Sequence, residues 1–124
     1  MTDPLTLERD LLVAARELIS DSERWTQGCN ARDRNGAPVP HEHQAAVAWC
    51  AAGACRRVSA GTPLLRTVRE ARNRLDRAVP LGRLGDFNDT HTHAEVLALF
   101  DTAVAEIDAE AADSNEAEKS EVPS

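Results

Sequence analysis

Apolar residues recur at three- and four-residue steps in three parts of this chain. From Pro4 to about Ile19, Leu7, Leu11, Ala14, Ala15 and Leu18 share a face, with Glu8, Arg9, Arg16 and Glu17 opposite. That period predicts an amphipathic helix, opened by Asp3 as N-cap and Pro4 at the first helical position. A second stripe, Leu64, Leu65, Val68, Ala71 and Leu75, follows Thr62-Pro63 and predicts a helix to about Ala78, with Arg66, Arg69, Arg74 and Arg77 off the stripe. A third, Val96, Phe100, Ala103, Val104 and Ile107, follows Thr92-His93-Ala94-Glu95, a capping box in which Thr and Glu side chains satisfy each other's N–H groups. This helix is expected to fade near Ala112.

Two stretches break the period. From about Glu42 to Ser59 the chain is apolar on nearly every side between Ala45 and Cys55, which predicts a central helix with neighbours all round. Gly53 costs about 1 kcal/mol relative to alanine inside a helix, so another backbone is expected close to it, with Trp49 filling one flank. Residues 20–40 are polar, and Asn35-Gly36 tolerates the positive φ angles of a tight turn. A short hairpin is expected there, Gln27–Asp33 against Ala37–Pro40, with Trp25 at its base. Pro80, Gly82 and Gly85 predict a loop before the last helix. The expected fold is therefore mainly α: a compact bundle of about four helices with one short β-hairpin near residues 27–40, forming a single domain over 1–112, followed by a disordered acidic tail over 113–124.

Composition narrows the class. Aromatics are 3% of the 124 residues, with no tyrosine, so the core is built of Leu, Val and Ala, which suits close helix packing. No run approaches 18 uncharged apolar residues, the length that spanning a membrane requires, and the N-terminus lacks the basic start and apolar run of a secretory signal. Cys29, Cys50 and Cys55 form no even set; reduced thiols and a cytoplasmic setting are expected. Net charge is −7, yet residues 56–83 hold eight arginines (Arg56, Arg57, Arg66, Arg69, Arg72, Arg74, Arg77, Arg83) against Glu70 and Asp76, a +6 segment. This asymmetry is the most informative feature of the composition.

Trp25, Ala31-Arg32-Asp33 and Gly36, then Ala46-Val47, Trp49-Cys50 and Gly53-Ala54, then Asn88-Asp89 and Thr92-His93-Ala94-Glu95-Val96 form a recognisable series. It resembles that of a family of small uncharacterised bacterial and phage proteins, over about Leu11 to Val104. The chain departs from that pattern at Phe87, where tryptophan is expected, and at His41-Glu42-His43. The resemblance implies these domain boundaries and a prokaryotic or phage setting, and no activity.

The four histidines form two pairs, His41 with His43 and His91 with His93, each approaching a helix. With Asp89 they are candidate ligands for a zinc ion, which favours nitrogen donors, although residues two apart share a face only in extended chain. The plainer reading is exposed loop and cap histidines, since neither Cys-x-x-Cys nor His-Glu-x-x-His occurs, and no cofactor is expected. Cys29, in the polar loop, is a conceivable nucleophile with His41 or His43 as base. Asp86, Asn88 and Asp89 suit turns and caps, and Arg32 is expected to pair with Asp86 or Asp89 as a structural lock. The arginine segment is the best functional candidate. Arg66, Arg69, Arg74 and Arg77 could hold an acidic protein face or, less favoured, phosphates; the i, i+4 pairs Arg66–Glu70, Glu70–Arg74 and Arg72–Asp76 argue for plain solvation. There is no phosphate-cradling glycine loop or Gly-x-Ser-x-Gly elbow. The expectation is a small non-catalytic binding or regulatory module acting through the arginine face, the alternative a metal-binding protein or metal-dependent enzyme using the histidines.

Overall fold

A two-stranded hairpin leaves a row of unpaired backbone groups along each edge. In the computed structural model of the chain, a segment expected to be helical covers one of those edges. The structure describes residues 4–60, 65–79 and 83–121, with side-chain surroundings as far as Asp113. Strand β1 (Ala31–Asp33) pairs antiparallel with β2 (Pro38–Val39), placing Ala31 opposite Val39 and Arg32 opposite Pro38. On its other side β1 takes β3 (Ala46–Trp49), also antiparallel, with Ala31 opposite Trp49 and Asp33 opposite Ala46. The sheet order is β2-β1-β3.

The hairpin turn differs in detail from the Asn-Gly type expected. Among the described non-glycine residues none has positive φ, so within the turn only Gly36, at +84°, takes the left-handed conformation. Its N–H bonds back to the Asp33 carbonyl at 3.0 Å, and the Asp33 carboxylate accepts from the N–H groups of Asn35 and Ala37, both at 2.9 Å. The aspartate thus does the work expected of the Asn-Gly pair.

Helix α2 is shorter than its apolar run suggested. It covers Ala51–Ser59, not Glu42–Ser59, with Cys50 as N-cap in extended conformation. A short apolar run of small residues has no period that separates buried helix from buried strand. Here the unpaired edge of β1 decides, because strand pairing satisfies the backbone groups of both chains. The Cys50 Sγ accepts the Gly53 N–H at 3.2 Å, a capping bond in the position usually taken by a serine oxygen. The expectation for Gly53 holds: a Cβ there would lie 2.0 Å from the Asn30 carbonyl oxygen.

Against α2 pack α1 (Pro4–Leu18), α3 (Leu65–Ala78) and α4 (Leu84–Thr90), while α5 (His93–Glu121) packs against α1, α3 and α4. The core joins Leu11, Leu12, Ala15 and Ile19 to Ala51, Ala54 and Cys55, and to Leu75, Leu84, Val96, Phe100, Ala103 and Ile107. Helices α1 and α5 run antiparallel, as the ion pairs Arg9–Asp108 at 2.9 Å and Arg16–Asp101 at 2.6 Å show. The capping box forms as the sequence predicts: Glu95 N–H donates to Thr92 Oγ1 at 3.2 Å, and Thr92 N–H to Glu95 Oε1 at 2.9 Å. These bonds hold the Glu95 carboxyl below its ordinary range. Helix α5 continues well past Ala112. The short helix α4 occupies what was expected to be loop; its first N–H, on Leu84, is capped by the Asp76 carboxylate at 3.1 Å. The proposed caps Asp3 and Thr62-Pro63, the stripe residue Leu64, and Pro80 and Gly82 lie outside the described residues.

Two stripes are rotated from their sequence-based positions. On α1 the buried face is Glu8, Leu11, Leu12 and Ala15, with Ala14 exposed. On α3 it is Thr67, Ala71, Arg74 and Leu75, while Leu65 is 78% exposed. One ion cluster, described below, accounts for both shifts. Gly53→Ala is expected to cost about 3 kcal/mol or more, because the clash is with backbone that cannot swing aside. Urea unfolding should show a lowered midpoint at unchanged slope; an unshifted midpoint would refute the close approach.

Candidate functional site

Asn88 is fully buried, the least exposed polar residue among the described residues. Its Oδ1 accepts from Trp25 Nε1 at 2.8 Å and from the Ala51 N–H at the start of α2 at 3.0 Å. Its Nδ2 donates to the Thr26 carbonyl at 3.0 Å, and Gln27 Nε2 donates to the Asn88 carbonyl at 3.0 Å. One amide therefore ties α4, α2 and the loop before β1. Asp89 adds a bond from the Gly28 N–H at 2.8 Å. Arg32 locks the same loop, but through backbone and hydroxyl oxygens: it donates to Thr26 Oγ1 at 2.8 Å, Gly36 O at 2.9 Å and Gln27 O at 3.0 Å. A planar guanidinium suits three divergent acceptors.

The histidines do not converge. Among the described residues no group of three or more His, Cys, Asp or Glu side chains is placed to hold a metal ion. His43 Nδ1 accepts the Ala45 N–H at 3.0 Å, shaping the turn before β3. His41 lies 3.7 Å from Glu42, and its carbonyl accepts from Trp49 Nε1 at 3.1 Å. His91 stacks on Phe87 with centroids 3.7 Å apart, its Nδ1 2.9 Å from the Phe87 carbonyl. His93 Nε2 is 2.6 Å from the Ile19 carbonyl. A carbonyl only accepts, so Nδ1 of His91 and Nε2 of His93 carry the protons. Asp89 is committed to Gly28.

The thiols are set for packing. None of the three forms a disulfide. A helix N-terminus ordinarily favours thiolate, yet burial outweighs the Gly53 and Ala52 N–H groups and pushes the Cys50 pKa up. Cys55, fully enclosed, is pushed up to about 12 by burial, against a weaker opposing pull from Arg72. Cys29 is half-buried and donates to the Ala31 carbonyl at 3.2 Å; among the described residues no imidazole bonds it.

The arginine face divides. Arg74, expected outside, is 5% exposed and meets carboxylates from two other helices. Its guanidinium bonds Glu8 of α1 at 3.3 Å, Glu106 of α5 at 2.7 Å, and Glu110. Burial opposes its charge, but the hydrogen bond to Glu110 and the attraction of Glu8 prevail, and its pKa is raised. This cluster turns Glu8 and Arg74 inward and rotates both stripes, leaving Leu65 outside. The signal was present in the spacing: Glu8 lies three and four residues before Leu11 and Leu12, and Arg74 three after Ala71. Asn88, four residues after Leu84, carried the same signal.

Arg66, Arg69 and Arg77 remain exposed on α3. Arg77 reaches Glu106 at 3.8 Å, while Arg66 and Arg69 make no ion pair among the described residues. None of the expected i, i+4 pairs Arg66–Glu70, Glu70–Arg74 and Arg72–Asp76 is within ion-pair distance; Arg74 and Asp76 are taken by other partners. Beside these arginines an open groove of about 460 Å³ runs along α3, lined by Leu65, Val68, Arg69, Arg72, Asn73 and Asp76. The Arg72 Nε is shut off from solvent and has no hydrogen-bond partner among the described residues, an arrangement that costs roughly 1–3 kcal/mol.

A family model matches residues 3–106, and its description is a family of unknown function, DUF6197. The chain belongs to this family. The matched stretch takes in every element from α1 to the first half of α5, and so contains Asn88, Arg74 and the α3 groove. No curated protein and no solved structure matches the chain. Among the described residues no helix is long and apolar enough to cross a membrane.

Arg74→Met leaves Glu8 buried beside unpaired carboxylates and is expected to cost about 3–5 kcal/mol. The Glu8→Leu/Arg74→Met pair should recover much of that loss in urea melts; strictly additive losses would show that the two do not interact. A second expectation concerns alkaline pH. Below pH 9.0 both folded and unfolded chains keep the Cys55 proton; from there to about 12 only the unfolded chain releases it. Stability therefore falls as pH rises through this window, by up to about 4 kcal/mol at its upper end. The chain has no tyrosine and a single lysine, Lys119; Cys50, whose pKa burial also raises, adds to the decline in the same direction. Cys55→Ala should flatten the decline, and an equally steep profile would refute the assignment.

Proposed function

We propose that this chain is a small non-catalytic binding module that engages a protein partner through the outer side of α3. The observation that carries the reading is the groove beside Arg69 and Arg72, with Leu65 standing 78% exposed at its edge. An exposed apolar side chain bordering guanidinium groups that make no ion pair among the described residues offers both kinds of contact that a protein interface uses. The other candidate chemistry supports the same reading. His43, His91 and His93 spend ring nitrogens on backbone groups, and Cys50 and Cys55 are driven away from thiolate. A nucleophile needs the opposite environment.

Nucleic acid fits this face less well than protein. The chain as a whole carries −7, and stacking platforms need exposed aromatics. Both tryptophans are instead pinned by their Nε1 groups, Trp25 to Asn88 and Trp49 to the His41 carbonyl. The test compares immobilised wild-type chain with an R66Q/R69Q/R77Q variant, leaving Arg74 in place. Quantitative pull-downs should show partner capture reduced by about tenfold or more, a difference of about 1.4 kcal/mol, at an unchanged melting temperature. Equal capture by the two chains rejects the face.

A further inference from the structure

Resting on that reading, we propose that the α3 groove takes an acidic amphipathic helix of a partner protein. Three features of the groove select this occupant. Leu65 and Val68 supply apolar contact at a spacing of three, the step at which one helix meets another. Arg69 and Arg72 flank them, and Arg66 and Arg69 make no ion pair among the described residues, so this side of α3 presents cationic charge on an otherwise acidic protein. Carboxylates are the complement of both the charge and the planar donor geometry of guanidinium. The buried Arg72 Nε, unpartnered among the described residues, gains an acceptor if a carboxylate draws the side chain outward. Asp76 also lines the groove, but its Oδ1 is engaged by the Leu84 N–H. Asp76 thus marks the end of the groove where an acidic helix is repelled, which places the acidic residues of the partner toward Arg69 and Leu65.

An acidic helix anchors in such a groove through apolar residues at i and i+4 or i+7, with Glu on either side. The test uses the full chain and a fluorescein-labelled synthetic peptide of about four helical turns, carrying leucines at that spacing and flanking glutamates. Saturable anisotropy is expected, weakened about tenfold or more by R69Q/R72Q, by Leu65→Ser, and by replacing the peptide glutamates with glutamine. Thermal melts of each variant establish that it folds. Absence of saturable binding, or equal affinity for the R69Q/R72Q chain, overturns the proposal. So does equal binding of a leucine-free polyglutamate, which would leave charge alone. Tighter binding of a single-stranded oligonucleotide of matched charge overturns it in favour of nucleic acid, and sedimentation showing self-association lost in Leu65→Ser overturns it in favour of a second copy. If the peptide fails while pull-downs still depend on the arginines, the acidic helix is wrong and the docking face stands. If neither depends on them, both fall.

Discussion

The start of α2 sits against the backbone of residue 30 with no room for a side chain between them, and most of the molecule is arranged around that contact. A Cβ on Gly53 would lie 2.0 Å from the Asn30 carbonyl oxygen. The approach lets the Cys50 N–H reach Asn30 O at 3.2 Å, which extends the β1–β3 ladder into the helix N-terminus. Asn88 then closes the junction from α4, supplying the acceptor for the Ala51 N–H. Helix N-termini leave N–H groups without intrahelical partners; here Cys50 and Asn88 side chains satisfy two of them inside the core. A buried amide that meets four polar groups rigidifies its surroundings, and any one bond lost leaves a buried group unpaired.

The second organising element is charge placed inside. Arg74 with Glu8, Glu106 and Glu110 joins α1, α3 and α5 at one point. Taking these groups from water is costly, and the attraction among them offsets the cost only because the geometry supplies several bonds at once. Its consequence for function is indirect. By turning Arg74 inward, the cluster rotates α3 so that Leu65, Arg66, Arg69 and Arg77 face out, and the groove beside Val68 and Arg72 opens on that side.

Thiols and imidazoles, the groups most suggestive of chemistry, serve architecture in this fold. Cys50 acts as a helix cap, and Cys55 as a small core hydrophobe whose proton is held by burial. His91 and His93 bridge α4 and the end of α1 to the start of α5 through backbone carbonyls. The ring nitrogens of His43, His91 and His93 and the Cys50 thiol thus meet backbone groups in need of partners.

What the linear chain determined by itself were the features that depend on near neighbours: the helical periods of α1, α3 and α5, the Thr92–Glu95 capping box, the hairpin around Gly36, and the need for a close backbone at Gly53. Each follows from residues within a few positions of one another, where spacing and local hydrogen bonding suffice. Only the tertiary structure decided that Ala46–Trp49 is strand and that Leu84–Thr90 is helix, because an unpaired edge on β1 and a carboxylate from Asp76 settle segments with no strong period of their own. It alone decided which arginines face solvent. Glu8, Arg74 and Asn88 lie on apolar stripes, and a polar residue there is tolerated only when distant partners meet it; those partners are 32 to 66 positions away for Arg74 and 37 to 63 for the Asn88 Oδ1. No local pattern in the sequence encodes separations of that length.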